Sequence, residues 1–123
     1  MTGIIVFAHG SRIESANQAV RDIAADLARA GNFPRVEAAF LELGQPSLDG
    51  AVTLLMSQGA TRILVIPYFL TLGMHLERDL PRLVQAIAQA HPGLFISVTP
   101  PLDGHPALLQ ALLDRANSLS PLD

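Results

Sequence analysis

Two kinds of segment alternate along the chain, and their hydrophobic patterns differ. Short apolar runs typical of strands occupy Ile4–Ala8, Val36–Leu41, Arg62–Ile66 and Leu94–Val98. Each run is followed by a longer stretch in which apolar residues recur every three or four positions, as on the buried side of a helix. The pattern therefore predicts four strands that alternate with four helices.

Capping residues predict where the helices begin and end. Ser15, followed three residues later by Gln18, resembles a capping box at the start of the first helix, and Gly31 can end that helix. The other predicted boundaries are Ser47 and Gly59 for the second helix, Asp79 with Pro81 in the first turn for the third, and a start near Pro106 for the fourth.

The alternation of strands and helices predicts an α/β fold with a parallel sheet covered on both faces. The first and third runs are continuously apolar, as central strands are, whereas Glu37 favours an edge position for the second run. Right-handed crossovers then favour the strand order 2-1-3-4 of a short flavodoxin-like sheet. The length predicts one domain that spans residues 1–123.

Composition excludes several classes of chemistry. The net charge is -3, all eight basic residues are Arg, and there is no Cys, so lysine amines, thiolates and disulfides are absent. The chain has no basic block of the kind that would indicate nucleic-acid binding. No apolar run approaches the roughly 20 residues of a membrane span. Met1 leads into an apolar run without a basic segment, so we expect no signal peptide and a cytoplasmic protein.

Candidate chemistry lies in the loops after the strands. In an open parallel sheet, ligands bind outside the carboxyl ends of the strands, where the strand order reverses. His9 and His75 follow the two strands that flank this switch point. Two imidazoles there could hold one divalent metal ion weakly, or accept protons near pH 7. The alternative is that each ring caps a helix or bonds a loop carbonyl, which we favour for His105.

Three more polar residues belong to the same predicted edge. Glu42 follows the second strand and is either a third ligand, a proton acceptor or a solvent-facing acid. Ser11 and Arg12 open the first predicted helix, where backbone amides and a guanidinium favour an anion. For Arg12 the alternative is an ordinary surface charge.

The stretch before His75 is unusually apolar for a loop. It either packs onto the core or forms a wall for a flat apolar ligand. As a substrate-binding segment it comprises Tyr68, Phe69, Leu70, Thr71, Leu72, Gly73 and Met74.

Two motifs resemble those of a known family. The segment Ile4–Arg12 is similar to its first motif, and Val65–His75 followed by Asp79-Leu80-Pro81 is similar to its second. Together they resemble the small, single-domain sirohydrochlorin chelatases, which insert cobalt or iron into a tetrapyrrole without ATP. The resemblance implies a lyase that works as a homodimer, since larger relatives carry two such domains around one cleft.

The resemblance also implies roles for the site residues. His9 and His75 would hold the metal and assist pyrrole deprotonation, with Glu42 as a further catalytic group. The metal, Co²⁺ or Fe²⁺ with Ni²⁺ left open, is a substrate, and no permanently bound cofactor is expected. The pathway, cobalamin or sirohaem biosynthesis, stays open. The main alternative is a noncatalytic metal carrier or tetrapyrrole-binding module; a flavodoxin-type electron carrier is disfavoured because the chain has no Trp and one Tyr.

Overall fold

The computed structural model describes residues 1–70 and 72–118, and for His75 it describes the backbone alone. Each predicted strand is present and is followed by a predicted helix. The elements are β1 (Thr2–Ala8), α1 (Glu14–Gly31), β2 (Val36–Phe40), α2 (Leu48–Ser57), β3 (Arg62–Pro67), α3 (Met74–Ala90), β4 (Phe95–Val98) and α4 (Pro106–Asn117).

The four strands form one parallel sheet in the order β2-β1-β3-β4, which confirms the predicted topology. The continuously apolar strand β1 lies inside the sheet, and Ile4–Ala8 are all buried. The strand that contains Glu37 lies at an edge, as its polarity predicted. The carboxyl ends of β1 and β3 are therefore neighbours at the switch point.

Helices cover both sides of the sheet, but they do so unequally. On one side, Ile5, Phe7 and Val65 pack against α2 and α3 in the larger core. On the other side, α1 covers β1 and β2 through Val20 and Ala24. The part of this second side that β3 and β4 form is not covered by any helix among the described residues.

The first helix begins and ends differently from the prediction. Its N-cap is Ile13, without a side-chain cap, so Ser15 lies inside the helix and no capping box forms. The turn before the helix is stabilised earlier, because the Ser11 hydroxyl accepts the Ile13 N–H at 3.0 Å. At the other end, Asn32 and not Gly31 adopts the left-handed conformation (φ 54°). Gly31 instead leaves room for the Phe33 ring, which a Cβ would meet at 2.1 Å.

The third helix begins at Met74, five residues before the predicted cap Asp79. Its N-cap is Gly73, whose carbonyl accepts the Glu77 N–H at 2.9 Å. Pro81 therefore lies inside the helix and not in its first turn, and its missing N–H leaves the i–4 carbonyl without a helical partner. The apolar loop after β3 is shorter than predicted as a result.

The caps of α2 and α4 agree with the prediction. The Ser47 hydroxyl accepts the Gly50 N–H at 3.1 Å, and Gly59 follows the end of α2 with φ +99°. Pro106 opens α4, and the preceding His105 ring accepts the Ala107 N–H through Nδ1 at 3.0 Å. The structural role that we favoured for His105 is confirmed.

Candidate functional site

The loops after β1 and β2 bring His9 and Glu42 together. His9 Nε2 lies 3.7 Å from Glu42 Oε1, and both side chains are more than half exposed. Two backbone hydrogen bonds continue the pairing of β1 and β2 into these loops. The Leu41 N–H donates to the Ala8 carbonyl at 2.9 Å, and the Glu42 N–H donates to the His9 carbonyl at 3.0 Å. An imidazole and a carboxylate thus lie side by side, and both are accessible to solvent.

A buried amide ties these loops to the first helix. Asn17 is 1% exposed, and its Oδ1 accepts the Ser11 N–H at 2.9 Å. Its Nδ2 donates to the carbonyls of Ser11 at 2.8 Å and Leu43 at 2.9 Å. Sequence reasoning missed this residue. The available signal was a polar residue on the buried face of α1, in line with Val20 and Ala24.

A glycine allows the two loops to approach each other. Gly10 has φ +95°, and a Cβ on it would lie 1.7 Å from the Glu42 carbonyl oxygen. Any side chain at this position would add a clash to an unfavourable backbone conformation. The spacing of His9 and Glu42 therefore depends on Gly10 as well as on Asn17.

A pocket of about 430 Å³ extends from His9 toward the start of α3. Phe69 forms part of its wall and packs on Phe7, with ring centroids 6.2 Å apart. The pocket is lined by His9, Leu41, Phe69, Gly73, Met74, Leu76 and Asp79. The pocket thus combines an imidazole with apolar side chains, a lining that suits a flat apolar ligand.

The predicted apolar segment does not act as one surface. Tyr68 continues the side of β3 that faces α1, and it lines a groove there with Ile23 and Leu27. Leu72 lines a different pocket, between α3 and β4, and Leu70 is exposed. Tyr68 and Phe69 directly follow β3, and the two-residue alternation of a strand sends their side chains to opposite sides of the sheet. Only Phe69, Gly73 and Met74 of the segment line the His9 pocket; Thr71 lies outside the described residues.

His75 is the second residue of α3, directly after two residues that line the His9 pocket. Its side chain lies outside the described part of the structure, so the convergence of His9 and His75 on one cation stays a prediction. Among the side chains that are described, no group of three His, Asp or Glu residues could hold a metal ion. His9 and Glu42 alone offer two exposed donors, fewer than the four of a closed structural site.

The predicted anion-binding residues lie before α1 and do not open it. The Ser11 amide and carbonyl are both bonded to Asn17, and the Ser11 oxygen accepts the Ile13 N–H. Ser11 can therefore offer a ligand its hydroxyl hydrogen but not its amide. Arg12 is exposed beside it, so its guanidinium is accessible to a carboxylate.

The fold and the site define a flavodoxin-like α/β protein with a histidine–carboxylate pair beside an apolar pocket at the switch point. Comparison with known families identifies it further. The CbiX family model matches residues 3–119, and the chain belongs to that family. No described helix combines the length and the apolar character that crossing a membrane requires.

Curated relatives are sirohydrochlorin chelatases. The chain is 36% identical over 113 residues to a chloroplastic sirohydrochlorin ferrochelatase of Arabidopsis thaliana, covering 92% of this chain and 50% of the relative. It is 35% identical over 91 residues to a sirohydrochlorin cobaltochelatase of Methanocaldococcus jannaschii, covering 74% and 64%. The chain thus spans between half and two thirds of the length of these two relatives. The predicted family resemblance is confirmed.

Solved structures share the fold. A putative cobalamin biosynthesis CbiX protein of Marinobacter aquaeolei VT8 superposes with a TM-score of 0.84 at 29% identity, covering 96% of both chains. The sirohydrochlorin chelatase SirB of Bacillus subtilis subspecies spizizenii in complex with cobalt gives 0.87 at 27% identity, and this chain covers 50% of it. The likeness therefore extends over nearly all of this chain.

Proposed function

We propose that this protein is an enzyme that inserts Co²⁺ or Fe²⁺ into sirohydrochlorin. The observation that carries the proposal is the exposed His9–Glu42 pair, with 3.7 Å between Nε2 and Oε1, at the rim of an apolar pocket of about 430 Å³. Membership of the CbiX family, and relatives named as sirohydrochlorin chelatases, support the choice of reaction and substrate.

The reaction needs a weak metal donor and a proton acceptor. The macrocycle receives one divalent cation and releases two pyrrole N–H protons, so its charge is unchanged. His9 Nδ1 lies 3.3 Å from the Gly10 carbonyl, which can only accept a hydrogen bond. A hydrogen on Nδ1 leaves the Nε2 lone pair for the metal. Glu42, beside Nε2, accepts one of the two protons as the metal enters, and the other passes to solvent.

The apolar pocket wall receives one face of the macrocycle in this proposal. Phe69 and Met74 supply apolar surface next to His9. The Ser11 hydroxyl and the Arg12 guanidinium bind the acetate and propionate groups of the substrate. His75 supplies the second imidazole, from the start of α3. With few exposed ligands, the site releases the metal readily, as transfer requires.

We further propose a homodimer as the working form, as the family resemblance implies. The cytoplasm is the proposed compartment. The choice between the cobalamin and sirohaem pathways follows from which metal the protein inserts faster.

The test is the rate of absorbance change when sirohydrochlorin is mixed with Co²⁺, or anaerobically with Fe²⁺, with and without protein. We expect acceleration over the spontaneous reaction, which His9→Ala lowers. His91→Ala is the matched control, because His91 caps the other end of α3 from His75. No acceleration would reject the enzyme. Retained binding of the metal or macrocycle would then leave the carrier or binding module as the function.

A further inference from the structure

Asp79 lies at a position where the fold has little use for a carboxylate. It does not cap α3, because the helix begins at Met74 and places Asp79 in its second turn. The field of a helix N-terminus, which favours a negative charge, falls off within the first turn. Asp79 Oδ1 lies 3.4 Å from Arg78 Nε, and both side chains are more than half exposed. An exposed pair of this kind contributes little to stability, because water and salt screen it.

The carboxylate of Asp79 belongs to the pocket that contains His9. His9 reaches this pocket from the loop after β1, and Asp79 reaches it from α3. Among the described residues that line the pocket, these two carry the titratable side chains, and the others are apolar residues or glycine. Asp79 also follows His75 by four residues, so the two positions share one face of α3. An acid is therefore present on the α3 side of the proposed metal site.

Glu77 provides a comparison on the same helix. It lies two residues before Asp79, and positions two apart on a helix do not share a face. Glu77 accordingly lines a different pocket, the one between α3 and β4. The two acids therefore have similar charge and similar places along α3, but only Asp79 lines the pocket of His9.

Metal insertion requires the removal of two protons from the macrocycle. Glu42 lies beside His9 Nε2, on the side of the pocket formed by the loops after β1 and β2, and takes one of them. A second carboxylate from α3 can take the other at the same time. A carboxylate is ionised at neutral pH and can therefore accept a proton. Since Asp79 is more than half exposed, the proton that it accepts can pass on to water.

We propose that Asp79 is a further catalytic residue, which accepts the second pyrrole proton and passes it to solvent. The pyrrole N–H bond breaks, and its electron pair stays on the nitrogen, which then binds the metal. The proton forms a bond to a carboxylate oxygen of Asp79 and leaves from there to water, so that the carboxylate is restored. The inference rests on the proposed function, because it names the acceptor of one proton of that reaction.

The first experiment measures kcat and KM for the insertion of Co²⁺ into sirohydrochlorin. We expect Asp79→Asn to lower kcat several-fold, because the amide keeps the shape of the side chain but cannot accept a proton. The KM for sirohydrochlorin should not rise, since a carboxylate repels the acetate and propionate groups of that substrate. Glu77→Gln, the matched loss of charge on the same helix, should keep the parent kcat. A parent-like kcat in Asp79→Asn, a change confined to the KM for Co²⁺, or an equal loss in Glu77→Gln overturns the proposal.

The second experiment supplies the missing proton acceptor from solution. Asp79→Ala removes the carboxylate and leaves space for a small anion, so added formate should restore part of the lost kcat. His9→Ala is the control, because it lacks a proposed metal ligand and not a proton acceptor, and formate should not restore its rate. A structural role of Asp79 predicts no response to formate. That result, or equal recovery of both variants, contradicts the assignment.

The parent protein distinguishes a failure of this inference from a failure of the proposed function. A parent that does not accelerate insertion rejects both. A parent that accelerates insertion, with an unchanged kcat in Asp79→Asn, rejects this inference alone. Denaturant unfolding of the parent and of Asp79→Asn should agree closely, because the Asp79 side chain is more than half exposed. A lower kcat at unchanged stability then reports on the chemistry of the site.

Discussion

The two halves of the sheet differ in the side-chain contacts behind their loops, and we call the half formed by β1 and β2 the rigid half. Beyond β1 and β2, three hydrogen bonds from the buried Asn17 and a close approach at Gly10 hold the loops that carry His9 and Glu42. Beyond β3 and β4, apolar side chains remain at the surface, and Met74 is 86% exposed. The polar side chains of the site are thus held in place on one half of the sheet, while the other half exposes apolar surface to which a ligand can bind.

This division suits the proposed transfer of a metal to a large flat substrate. The side chain that binds the metal and the side chain that accepts the proton must be held close to their productive geometry. Other residues must contact these side chains to hold them there. The apolar wall needs only to exclude water from one macrocycle face, so exposed residues on a shorter loop suffice. Removing the buried contacts of the rigid half should therefore have a larger effect than removing its exposed contacts.

The largest effect on stability is expected from Asn17→Ala. The change leaves the Ser11 amide and the carbonyls of Ser11 and Leu43 without their partner, at a cost of about 2–3 kcal/mol in the free energy of unfolding. Denaturant unfolding measures it. Gln18→Ala is the control, since Gln18 is exposed on the same helix. Equal effects of the two substitutions would mean that Asn17 does not tie the loops together.

The next effect separates chemistry from stability. We expect His9→Ala and His75→Ala each to lower the insertion rate at least tenfold, which corresponds to about 1.4 kcal/mol in the activation free energy. The His9 side chain is more than half exposed, so the free energy of unfolding should change little in His9→Ala. The absorbance assay and denaturant unfolding check both statements. A double variant that inserts metal at the parent rate would contradict the assigned roles.

The fold was predictable from the sequence because its main signal is periodic. The apolar runs and helical spacing indicate which segments pair, and right-handed crossovers leave one strand order. The helix boundaries were less predictable, because they depend on single contacts. Ser11 and Asn17 stabilise the turn before α1, so that Ser15 is not needed as a cap. Gly73 begins α3 early enough to leave Pro81 inside it.

The sequence predicts the arrangement of the site residues correctly only where the order of the strands alone brings the residues together. His9 and Glu42 follow neighbouring strands, so the sheet order brings them together. The apolar segment was predicted as one wall, but the alternation of an extended chain directs Tyr68 and Phe69 into separate pockets. The pattern of α4 predicts a buried apolar side, but the structure leaves Leu109 and Leu112 of that side exposed.

A smaller effect on the insertion rate is expected from Glu42→Gln. The amide keeps the size of the side chain but cannot accept a proton at neutral pH, so we expect a several-fold lower rate, most marked where proton removal limits it. Asp103→Asn is the control, because Asp103 is an exposed carboxylate in the loop after β4. Rates measured between pH 6 and 9 provide the readout. An equal loss in both variants would indicate a general effect of negative charge, and not the His9–Glu42 pair.

The smallest effect concerns an exposed contact of the rigid half. Arg21 Nη1 lies 2.5 Å from Glu14 Oε1, and this hydrogen bond and charge lower the pKa of Glu14. The same guanidinium donates to the Gln45 carbonyl at 3.1 Å, so Arg21 also links α1 to the loop after β2. Exposed pairs contribute little because water and salt screen them. We therefore expect Glu14→Gln to lower the unfolding temperature only slightly.

The pH dependence of Glu14→Gln follows from the direction of the shift. A carboxyl with a lowered pKa in the folded chain stabilises it above the unfolded pKa, and this contribution is lost as the pH falls through the folded value. The parent and Glu14→Gln should differ at pH 7 and converge in acid, and 1 M NaCl should narrow the difference at pH 7. Thermal unfolding between pH 3 and 7 checks this. A difference as large as that of Asn17→Ala would mean that the exposed pair, and not the buried amide, holds the rigid half together.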